Sequence, residues 1–386
     1  MEFSTLGELC VSGKGHYGIA ASAVPYCKEL YTYLRITDIT DDGRINFSGL
    51  TSVADVNAEK YLLQPNDIVF ARTGGSTGRN YFYDGHDGKF VYAGFLIKFS
   101  IDSQKVNPKF IKYYCQSRNY KDWVSSYNTG STRGNINAQT YARMPVPMLP
   151  RKQQDGIVSV LESIDAKIEE NDHINENLLE QAQAIFAHAF PYTTSDILPK
   201  GWRLGTVGEI IEIHDSKRIP LSGAQRDKMK KKIYPYYGAA SLMDYVDEYI
   251  FDGKYLLLGE DGTVVDNAGF PILQYVWGQF WVNNHAHILT GKLGYSVESL
   301  YILFKQTTVK SIVTGAVQPK ISQANLKSIA VVIPPANLIE AFNKQVDAMF
   351  TLIRNNKEEN KRLTALRDGL LPKLMSGELD VSCLDI

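Results

Sequence analysis

The sequence predicts a mixed α/β (α+β) protein in which two globular domains are separated by an antiparallel coiled coil of two long helices, with a pseudo-two-fold internal repeat. The main observation is that residues 129–190 are echoed by residues 314–375 at a constant offset of 185 positions, so that Pro150 returns as Pro335. A long helical pattern belongs to each copy. A register kept over this length indicates that one unit, a globular part followed by a helix, occurs twice.

Composition places the chain among ordinary globular proteins. Its 386 residues are 44% hydrophobic and 22% charged, which is enough material for two domains with their own cores. No apolar run approaches the roughly 18 residues of a membrane span, and the N-terminus lacks the features of a signal peptide. The four cysteines show no paired spacing, which indicates neither a disulfide framework nor a zinc site. We therefore expect a cytoplasmic protein that binds no metal.

The two globular domains are predicted at residues 1–150 and 201–335. Both contain short runs rich in β-branched and aromatic residues, such as residues 67–71 in the first domain and 254–258 in the second, with turn residues between the runs. Each domain also has one segment in which apolar residues follow helical spacing. Strands mixed with a few short helices are therefore expected in both.

The two long helices are predicted at residues 151–190 and 336–375. Apolar residues or asparagines recur there in alternating steps of four and three, which is a heptad seam. The seam comprises Leu161, Ile164, Ile168, Asn171, Asn175 and Leu178 in the first helix, and Val346, Met349, Ile353, Asn356, Asn360 and Leu363 in the second. Residues 191–200 are interpreted as a linker and residues 376–386 as a C-terminal tail.

The seam asparagines indicate how the helices pair. A polar residue at a seam position costs stability but fixes register and orientation. Because two asparagines stand at equal positions in each copy, we expect the two helices to pair with each other. Whole domains intervene between the helices, which favours an antiparallel pair. The alternative is that these asparagines are exposed and the seam is shorter.

Charge is distributed unevenly along the chain. Residues 1–150 and 200–335 each carry a net charge of +3, whereas residues 151–199 carry −6 and residues 336–386 carry −1. This asymmetry fits nucleic acid at the globular domains and protein partners at the helices. Ordinary scatter in surface charge fits equally well.

Two loops that follow predicted strands are candidates for contacts with DNA. The first is rich in glycine but lacks the Gly-Lys-Ser/Thr ending of a nucleotide-binding loop. Its candidate residues are Arg72, Thr73, Gly74, Ser76, Thr77 and Arg79. The matching loop of the second copy contains Glu260, Asp261 and Thr263, and a carboxylate there could accept a hydrogen bond from a cytosine amino group. Flexible turns are the alternative interpretation of both loops.

A second pair of loops precedes the long helices. Arg133 and Lys320 are candidates for contacts with phosphates, while Asn135 and Gln318 have side-chain amides that match adenine edges. Lys230 and Lys231, within the lysine run of residues 228–232, are further candidates for phosphate contacts. Structural turns and a solvated lysine face are the alternative interpretations.

No catalytic signature is present. His285 and His287 stand two apart, but no third ligand at a fixed spacing accompanies them. The sequence contains no Gly-x-Ser-x-Gly, His-Glu-x-x-His or dinucleotide-binding motif, and no Asn/Asp-Pro-Pro-aromatic signature of amino-methyltransferases. We therefore predict no catalytic residue, no metal site and no cofactor in this chain.

Four segments resemble a known family. Residues 366–379, Leu-Arg-Asp-Gly-Leu-Leu-Pro-Lys-Leu-Met-Ser-Gly-Glu-Leu, resemble the C-terminal signature of the DNA-specificity subunit of type I restriction–modification systems. Residues 183–186 are similar to the end of that family's first helix. Residues 6–9 and 202–210 resemble the entry strands of its domains. The resemblance spans nearly the whole chain, and the C-terminal run is its most specific part.

This resemblance implies a function. Residues 1–150 and 201–335 would be target-recognition domains that each read one half of a bipartite double-stranded DNA target, with the paired helices as a ruler between them. Two methyltransferase subunits, which carry S-adenosylmethionine, would dock on the chain. Restriction and translocase subunits, which use ATP and magnesium, would complete the complex. The alternatives are a coiled-coil adaptor that binds no DNA, and a DNA methyltransferase with an unrecognised active site.

Overall fold

The chain divides into two compact units in the computed structural model, which describes residues 2–127, 134–315 and 317–382. The first unit comprises residues 1–170 and 359–386, and the second comprises residues 171–358. Each unit therefore contains one globular region together with a part of each long helix. The division falls inside the helices because each helix segment packs on the globular region of its own unit.

The first unit contains ten strands and four helices among the described residues, the last helix continuing into the second unit. They are β1 (Glu2–Thr5), β2 (His16–Tyr17), β3 (Ala23–Pro25), β4 (Tyr31–Leu34), β5 (Thr51–Val53), β6 (Asp67–Ala71), β7 (Asn80–Tyr83), β8 (Phe90–Tyr92), β9 (Leu96–Ser100), α1 (Pro108–Tyr114), α2 (Arg118–Ser125), α3 (Ala138–Ala142), β10 (Pro145–Met148) and α4 (Arg151–Ala189). The strands form sheets in the orders β2-β9-β6-β7, β3-β5-β4-β8 and β1-β10.

The second unit repeats this arrangement and ends with a helix that continues into the first unit. Its elements are β11 (Arg203–Thr206), α5 (Val207–Ile210), β12 (Ile211–Ile213), α6 (Gly223–Asp227), β13 (Tyr234–Tyr237), β14 (Leu242–Val246), β15 (Phe251–Asp252), β16 (Tyr255–Gly259), β17 (Leu273–Val276), β18 (Gln279–Val282), β19 (Ala286–Gly291), α7 (Val297–Lys305), α8 (Gln323–Lys327), β20 (Ala330–Ile333) and α9 (Ala336–Met375). The strands form sheets in the orders β12-β19-β16-β17, β14-β13-β18-β15 and β11-β20.

The duplication is visible in the sheet topology over a longer part of the chain than in the sequence. The order β2-β9-β6-β7 in the first unit matches β12-β19-β16-β17 in the second, and β1-β10 matches β11-β20. Both remaining sheets contain one parallel pair, β4 with β8 and β13 with β18. They differ at both edges, because the fourth strand of the first unit, β3, lies outside β5, whereas that of the second unit, β15, lies outside β18. The prediction of two mixed α/β domains in an internal repeat is confirmed.

Burial explains the central strands. All five residues of β6 are buried between β7 and β9, which is the position that suits its Ile-Val-Phe-Ala sequence. The one polar residue of this strand, Asp67, is paired with Lys98 at 3.0 Å and accepts a hydrogen bond from Ser100. Its charge is therefore compensated inside the sheet.

In the first unit, the two helix segments run antiparallel and complete the core. Asp165 of α4 is paired with Arg367 of α9 at 2.9 Å, while the carbonyl of Ile168 accepts a hydrogen bond from Asn360. From the first contact to the second, the residue number rises along α4 and falls along α9, so the two helices are antiparallel. Six apolar residues of the two segments join the buried core of this unit, namely Ile157, Val158 and Leu161 of α4 and Leu371, Leu374 and Met375 of α9.

In the second unit, the helix segments also run antiparallel. Asn356 donates a hydrogen bond to Asn175 at 3.0 Å, while the ring of Phe186 contacts that of Phe342 with a centroid distance of 5.2 Å. Asn171, Asn175 and Asn356 are buried. The alternative in which the seam asparagines are exposed is therefore wrong for these three residues.

The segment after α9 packs against the first unit. Val381 is 5% exposed and belongs to the core of that unit. It lies against Gly156 of α4, where an added Cβ would come within 2.9 Å of the Val381 carbonyl oxygen. Glycine at position 156 therefore makes room for this segment. Among the described residues, no helix combines the length and the apolar character that crossing a membrane requires.

Candidate DNA interface

The glycine-rich loop of the first unit begins where β6 ends. The amide of Arg72 donates to the carbonyl of Phe95 at 3.1 Å, and the carbonyl of Arg72 accepts from the amide of Ile136 at 2.8 Å. Gly74 follows with a φ of +77°, a conformation that favours glycine, and a Cβ built there would meet nothing within 4 Å. The backbone of this loop is therefore both held in place and open to an approaching ligand.

The second predicted loop of the first unit lies beside the first. Thr73 and Asn135 form an isolated antiparallel bridge, and the hydroxyl of Thr77 donates to the carbonyls of Gly74 at 2.8 Å and Gly134 at 3.0 Å. Asn135 is exposed and Ser76 is half-buried. Arg133 lies outside the described residues. The structure thus brings together two loops that are about sixty positions apart in the sequence. The hydrogen bond from Thr77 to Gly134 joins them.

The guanidinium of Arg72 lies against two aromatic rings that the sequence did not single out. Its Cζ is 5.2 Å from the ring centroid of Tyr17 and 6.0 Å from that of Phe95. Both rings face solvent, since Tyr17 is 43% and Phe95 56% exposed. Cation–π attraction of this kind holds an arginine without neutralising its charge. We call Arg72, Tyr17 and Phe95 the arginine–aromatic cluster.

Arg79 has a structural partner instead of an open position. Its Nε is 2.7 Å from the carboxylate of Asp41, and its Nη1 donates to the carbonyl of Ile39 at 3.1 Å. The prediction grouped Arg79 with Arg72 as a contact for DNA. The geometry distinguishes the two arginines, because the guanidinium of Arg79 holds the segment of Ile39 and Asp41 in place.

The corresponding loop of the second unit has the same backbone contacts. β16 ends at Gly259, after which the amide of Glu260 donates to the carbonyl of His285 at 2.8 Å. The carbonyl of Glu260 accepts from the amide of Ile321, also at 2.8 Å. Asp261 and Lys320 form the bridge that corresponds to Thr73 and Asn135. We call this recurring arrangement, centred on Arg72 in one unit and on Glu260 in the other, the strand-end corner.

The side chain of Glu260 is held by two cations. One carboxylate oxygen, Oε2, is 2.6 Å from Nη1 of Arg218, and the other, Oε1, is 3.4 Å from Nζ of Lys320. The carboxylate is 14% exposed. Both carboxylate oxygens of Glu260 thus already have a cationic partner, and the predicted contact with a cytosine amino group stays a prediction. Asp261 is likewise occupied, by a hydrogen bond with His285.

A buried polar network lies behind the corner of the second unit. His287 is fully buried, with Nδ1 2.7 Å from the carboxylate of Asp215 and Nε2 2.8 Å from the carbonyl oxygen of Ile321. Burial acts to raise the pKa of Asp215. The hydrogen bonds from His287 and from the amide of Ile288, with the charge of Arg218, outweigh burial, and the pKa lies below its usual value. The network therefore holds an ionised carboxylate inside the domain.

Asp215, Glu260 and His287 have the spacing of a metal site, since their ligand atoms all lie within 4.8 Å of one another. Arg218 supplies the positive charge there, because its guanidinium is 3.4 Å from Asp215 and 2.6 Å from Glu260. These residues therefore fit an ion-pair network better than they fit a bound cation.

The exposed groups at the corner of the second unit differ from those of the first. Thr263, Gln318 and Lys320 are exposed, and the side chain of His285 is 44% exposed. Phe95 and His285 occupy equivalent positions, because each carbonyl accepts the same backbone hydrogen bond. The sequence pointed to His285 only as a possible metal ligand, and it did not point to Phe95, Tyr17 or Arg218. Their contacts with the corner residues join segments that are far apart in the sequence, and only the folded structure shows them.

Lys230 and Lys231 lie elsewhere in the second unit, on the turn before β13. Their backbone amides donate to the carboxylate of Asp247 at 3.0 and 2.7 Å, and both residues are exposed. Hydrogen bonds from the amides of Lys232, Lys230 and Lys231 lower the pKa of Asp247. The turn is therefore fixed through its backbone, which leaves the two lysine side chains directed to solvent.

Comparisons with known proteins agree with this duplicated plan. The family model described as type I restriction modification DNA specificity domain matches residues 1–180 and again residues 199–367. The chain is similar to the MjaIX specificity subunit of Methanocaldococcus jannaschii, with 22% identity over 311 residues that cover 73% of this chain and 71% of the relative. It is also similar to the EcoprrI specificity subunit of Escherichia coli, with 22% identity over 316 residues that cover 78% and 76%.

A solved structure shares the fold. The S subunit of a type I restriction–modification system from M. genitalium superposes with a TM-score of 0.54 and 19% identity, covering 97% of this chain and 95% of that one.

Proposed function

Since this chain belongs to the family of type I restriction–modification DNA specificity subunits, we propose that each of its units reads one half of a bipartite sequence in double-stranded DNA. The strand-end corner of the first unit reads one half and the corner of the second unit reads the other. The chain thereby selects the sites at which the other subunits of the complex act.

The recurrence of the strand-end corner carries this proposal. The same pair of backbone hydrogen bonds forms at Arg72 and at Glu260, so both units present a loop in one fixed conformation. The side chains at the two corners nevertheless differ in charge and shape. Contacts to base edges require particular donors, acceptors and apolar groups. Two equal scaffolds with unequal side chains are what two different half-sites need.

We further propose that the chain itself performs no chemistry. Two methyltransferase subunits dock on it and carry S-adenosylmethionine, and restriction or translocase subunits supply ATP- and magnesium-dependent steps. The complex works in the cytoplasm. Cys10, Cys27 and Cys115 are unpaired thiols, which is in keeping with a reducing compartment.

Two other functions are weaker candidates. A coiled-coil adaptor without DNA contacts does not explain the exposed arginine–aromatic cluster of the first unit or the exposed lysines of the second. A methyltransferase with an unusual active site would need a pocket for its cofactor beside reactive groups. The sequence contains no Asn/Asp-Pro-Pro-aromatic signature of such an enzyme.

Methylome sequencing tests the proposed function. A host without its own methylation is given the methyltransferase subunit alone, this chain alone, or both together. We expect methylation at one bipartite sequence only when both are present. Methylation that lacks a shared sequence would support the adaptor, and incorporation of labelled methyl groups by the isolated chain would support the methyltransferase. Either result would overturn the proposal.

A further inference from the structure

We propose that the arginine–aromatic cluster reads a guanine with a neighbouring thymine, Arg72 binding the guanine and Phe95 the 5-methyl group of the thymine. Tyr17 is the positioning residue that holds Arg72. This inference rests on the proposed function and deepens it, because it assigns the chemical content of the half-site read by the first unit.

The environment of Arg72 determines how it can bind. Within the described residues, the guanidinium of Arg72 lies against two aromatic rings and no ion pair with a carboxylate is formed, and its Nε is buried without a hydrogen-bond partner. DNA can therefore reach only the terminal nitrogens of Arg72, Nη1 and Nη2. Two parallel N–H groups match the O6 and N7 acceptors that guanine presents in the major groove. An arginine that binds end-on in this way specifies guanine over the other bases.

The two rings differ in how they are held. The hydroxyl of Tyr17 accepts a hydrogen bond from the amide of Ala138 at 3.2 Å, which ties this ring to the start of α3. Phe95 is held through its backbone, because its carbonyl accepts from the amide of Arg72. Its ring is the more exposed of the two, at 56%. Tyr17 therefore fixes the guanidinium, while Phe95 presents an apolar surface beside it.

An exposed apolar ring next to a base-reading arginine has one suitable partner in the major groove. Thymine is the base that carries a methyl group there, and apolar side chains contact it. Gly74 and Gly75 leave open space beside the cluster, since a Cβ at either position would meet nothing within 4 Å. The loop backbone can therefore come close to the DNA.

The second unit provides an internal contrast. At the positions of Arg72 and Phe95 it has Glu260 and His285, and the carboxylate of Glu260 is held by Arg218. It lacks both the unpaired arginine and the apolar ring at this corner. The cluster should therefore affect one half-site and leave the other unchanged.

The experiment uses the complex of the full chain with its methyltransferase subunit. The half-site of the first unit is identified as the one that relaxes in the methylome of the Arg72→Ala variant. Binding is then measured on duplexes in which deoxyuridine replaces a thymine of that half-site, or 7-deazaguanine replaces a guanine. Removal of the thymine methyl group should weaken binding about four-fold, since one buried carbon contributes about 0.8 kcal/mol. Removal of N7 should weaken it about ten-fold.

The variants decide the outcome. With Phe95→Ala, the thymine and deoxyuridine duplexes should bind equally, and with Arg72→Ala the guanine and 7-deazaguanine duplexes should bind equally. Phe47→Ala is the matched control, because Phe47 is also an exposed phenylalanine of the first unit, at 58%. It should retain both penalties.

Two results would overturn the inference while leaving the proposed function intact. One is a relaxed half-site without a guanine next to a thymine, and the other is an undiminished deoxyuridine penalty in Phe95→Ala. A wild-type complex that prefers no bipartite sequence would instead contradict the proposed function itself.

Discussion

Asn356 donates a hydrogen bond from its side-chain amide to Oδ1 of Asn175 at 3.0 Å, and both side chains are buried. These residues occupy the predicted heptad seam, where apolar residues are the rule. Such a polar pair costs stability relative to apolar packing, the more so because Nδ2 of Asn175 is buried without a hydrogen-bond partner among the described residues, but the bond between the two side chains forms in one register. In the second unit it fixes the alignment of α4 and α9.

This pair leads to a first prediction. Asn356→Ala should lower the free energy of unfolding by about 1–3 kcal/mol, because the acceptor of Asn175 is then buried without a donor. Urea denaturation measures the change. Asn355→Ala is the control, since Asn355 is the exposed neighbour on the same helix. An equal loss in both variants would show that the pair contributes nothing.

Arg367 and Asp165 form a buried ion pair between α9 and α4 in the first unit, at 2.9 Å, and Tyr113 donates a further hydrogen bond to Asp165. Arg367→Met should cost about 3–5 kcal/mol, because the carboxylate remains buried without its cation. Adding Asp165→Asn should recover most of the loss, since asparagine still accepts from Tyr113. The exposed Arg362 of the same helix supplies the control, and Arg362→Met should change stability by less than about 0.5 kcal/mol. A double variant as unstable as Arg367→Met would refute this account.

Asp215 should make the second unit sensitive to acid. Its pKa in the folded state lies below the ordinary value of 3.8, because hydrogen bonds and the charge of Arg218 outweigh burial. A carboxyl with a lowered folded pKa stabilises the fold above its unfolded pKa, and that contribution is lost as the pH falls through the folded value. The melting temperature of the second unit should therefore fall below about pH 4.

The variant Asp215→Asn tests this source of pH dependence. It should be less stable at neutral pH by about 1–3 kcal/mol, because His287 loses its carboxylate partner while Arg218 retains Glu260. Its stability should then fall less steeply in acid than that of the wild type. Asp227→Asn, at an exposed position, should leave the wild-type profile unchanged. Parallel profiles for Asp215→Asn and the wild type would assign the acid sensitivity to other groups.

Arg72 and Arg79 should behave differently although they share one loop. Arg72→Ala should relax one position of one half-site, at a cost of about 1–3 kcal/mol in discrimination. Arg79→Ala should leave the methylated sequence intact and lower stability, since Asp41 and the carbonyl of Ile39 lose their donor. Methylome sequencing and thermal unfolding of both variants provide the measurements. Relaxed specificity in Arg79→Ala would return Arg79 to the interface.

Lys230 and Lys231 should contribute affinity without specificity. Their side chains are exposed, whereas their amides are fixed by Asp247. The double variant Lys230→Ala/Lys231→Ala should weaken binding to every duplex and reduce the slope of log K against log salt by about 1.8, if both contact phosphates. The exposed lysines of α9 at positions 344 and 373 provide a matched double control. An unchanged slope would remove both candidates from the interface.

Local patterns were sufficient to predict the scaffold. The heptad steps through Leu161 and Ile168 depend on helix geometry alone, and the constant offset that joins Pro150 to Pro335 needs no knowledge of contacts. The strand β6 and its glycine-rich loop also follow from residue types along a few neighbouring positions. For this reason the long helices, the repeat and the loops are all predictable from the order of the residues.

The side-chain chemistry of each corner could not be predicted in this way. Arg72 and Glu260 occupy equivalent loops, and their sequences alone suggested two exposed charges. Tertiary contacts separate them, because Tyr17 and Phe95 hold Arg72 at the surface while Arg218, 42 positions away, holds Glu260 in a buried network. Periodicity reports the face on which a residue lies, whereas ion pairs between distant strands depend on how the sheets fold together. The sequence thus determined the duplicated scaffold, and the tertiary structure decided which charged side chains lie at the surface of each corner and which are held by ion pairs.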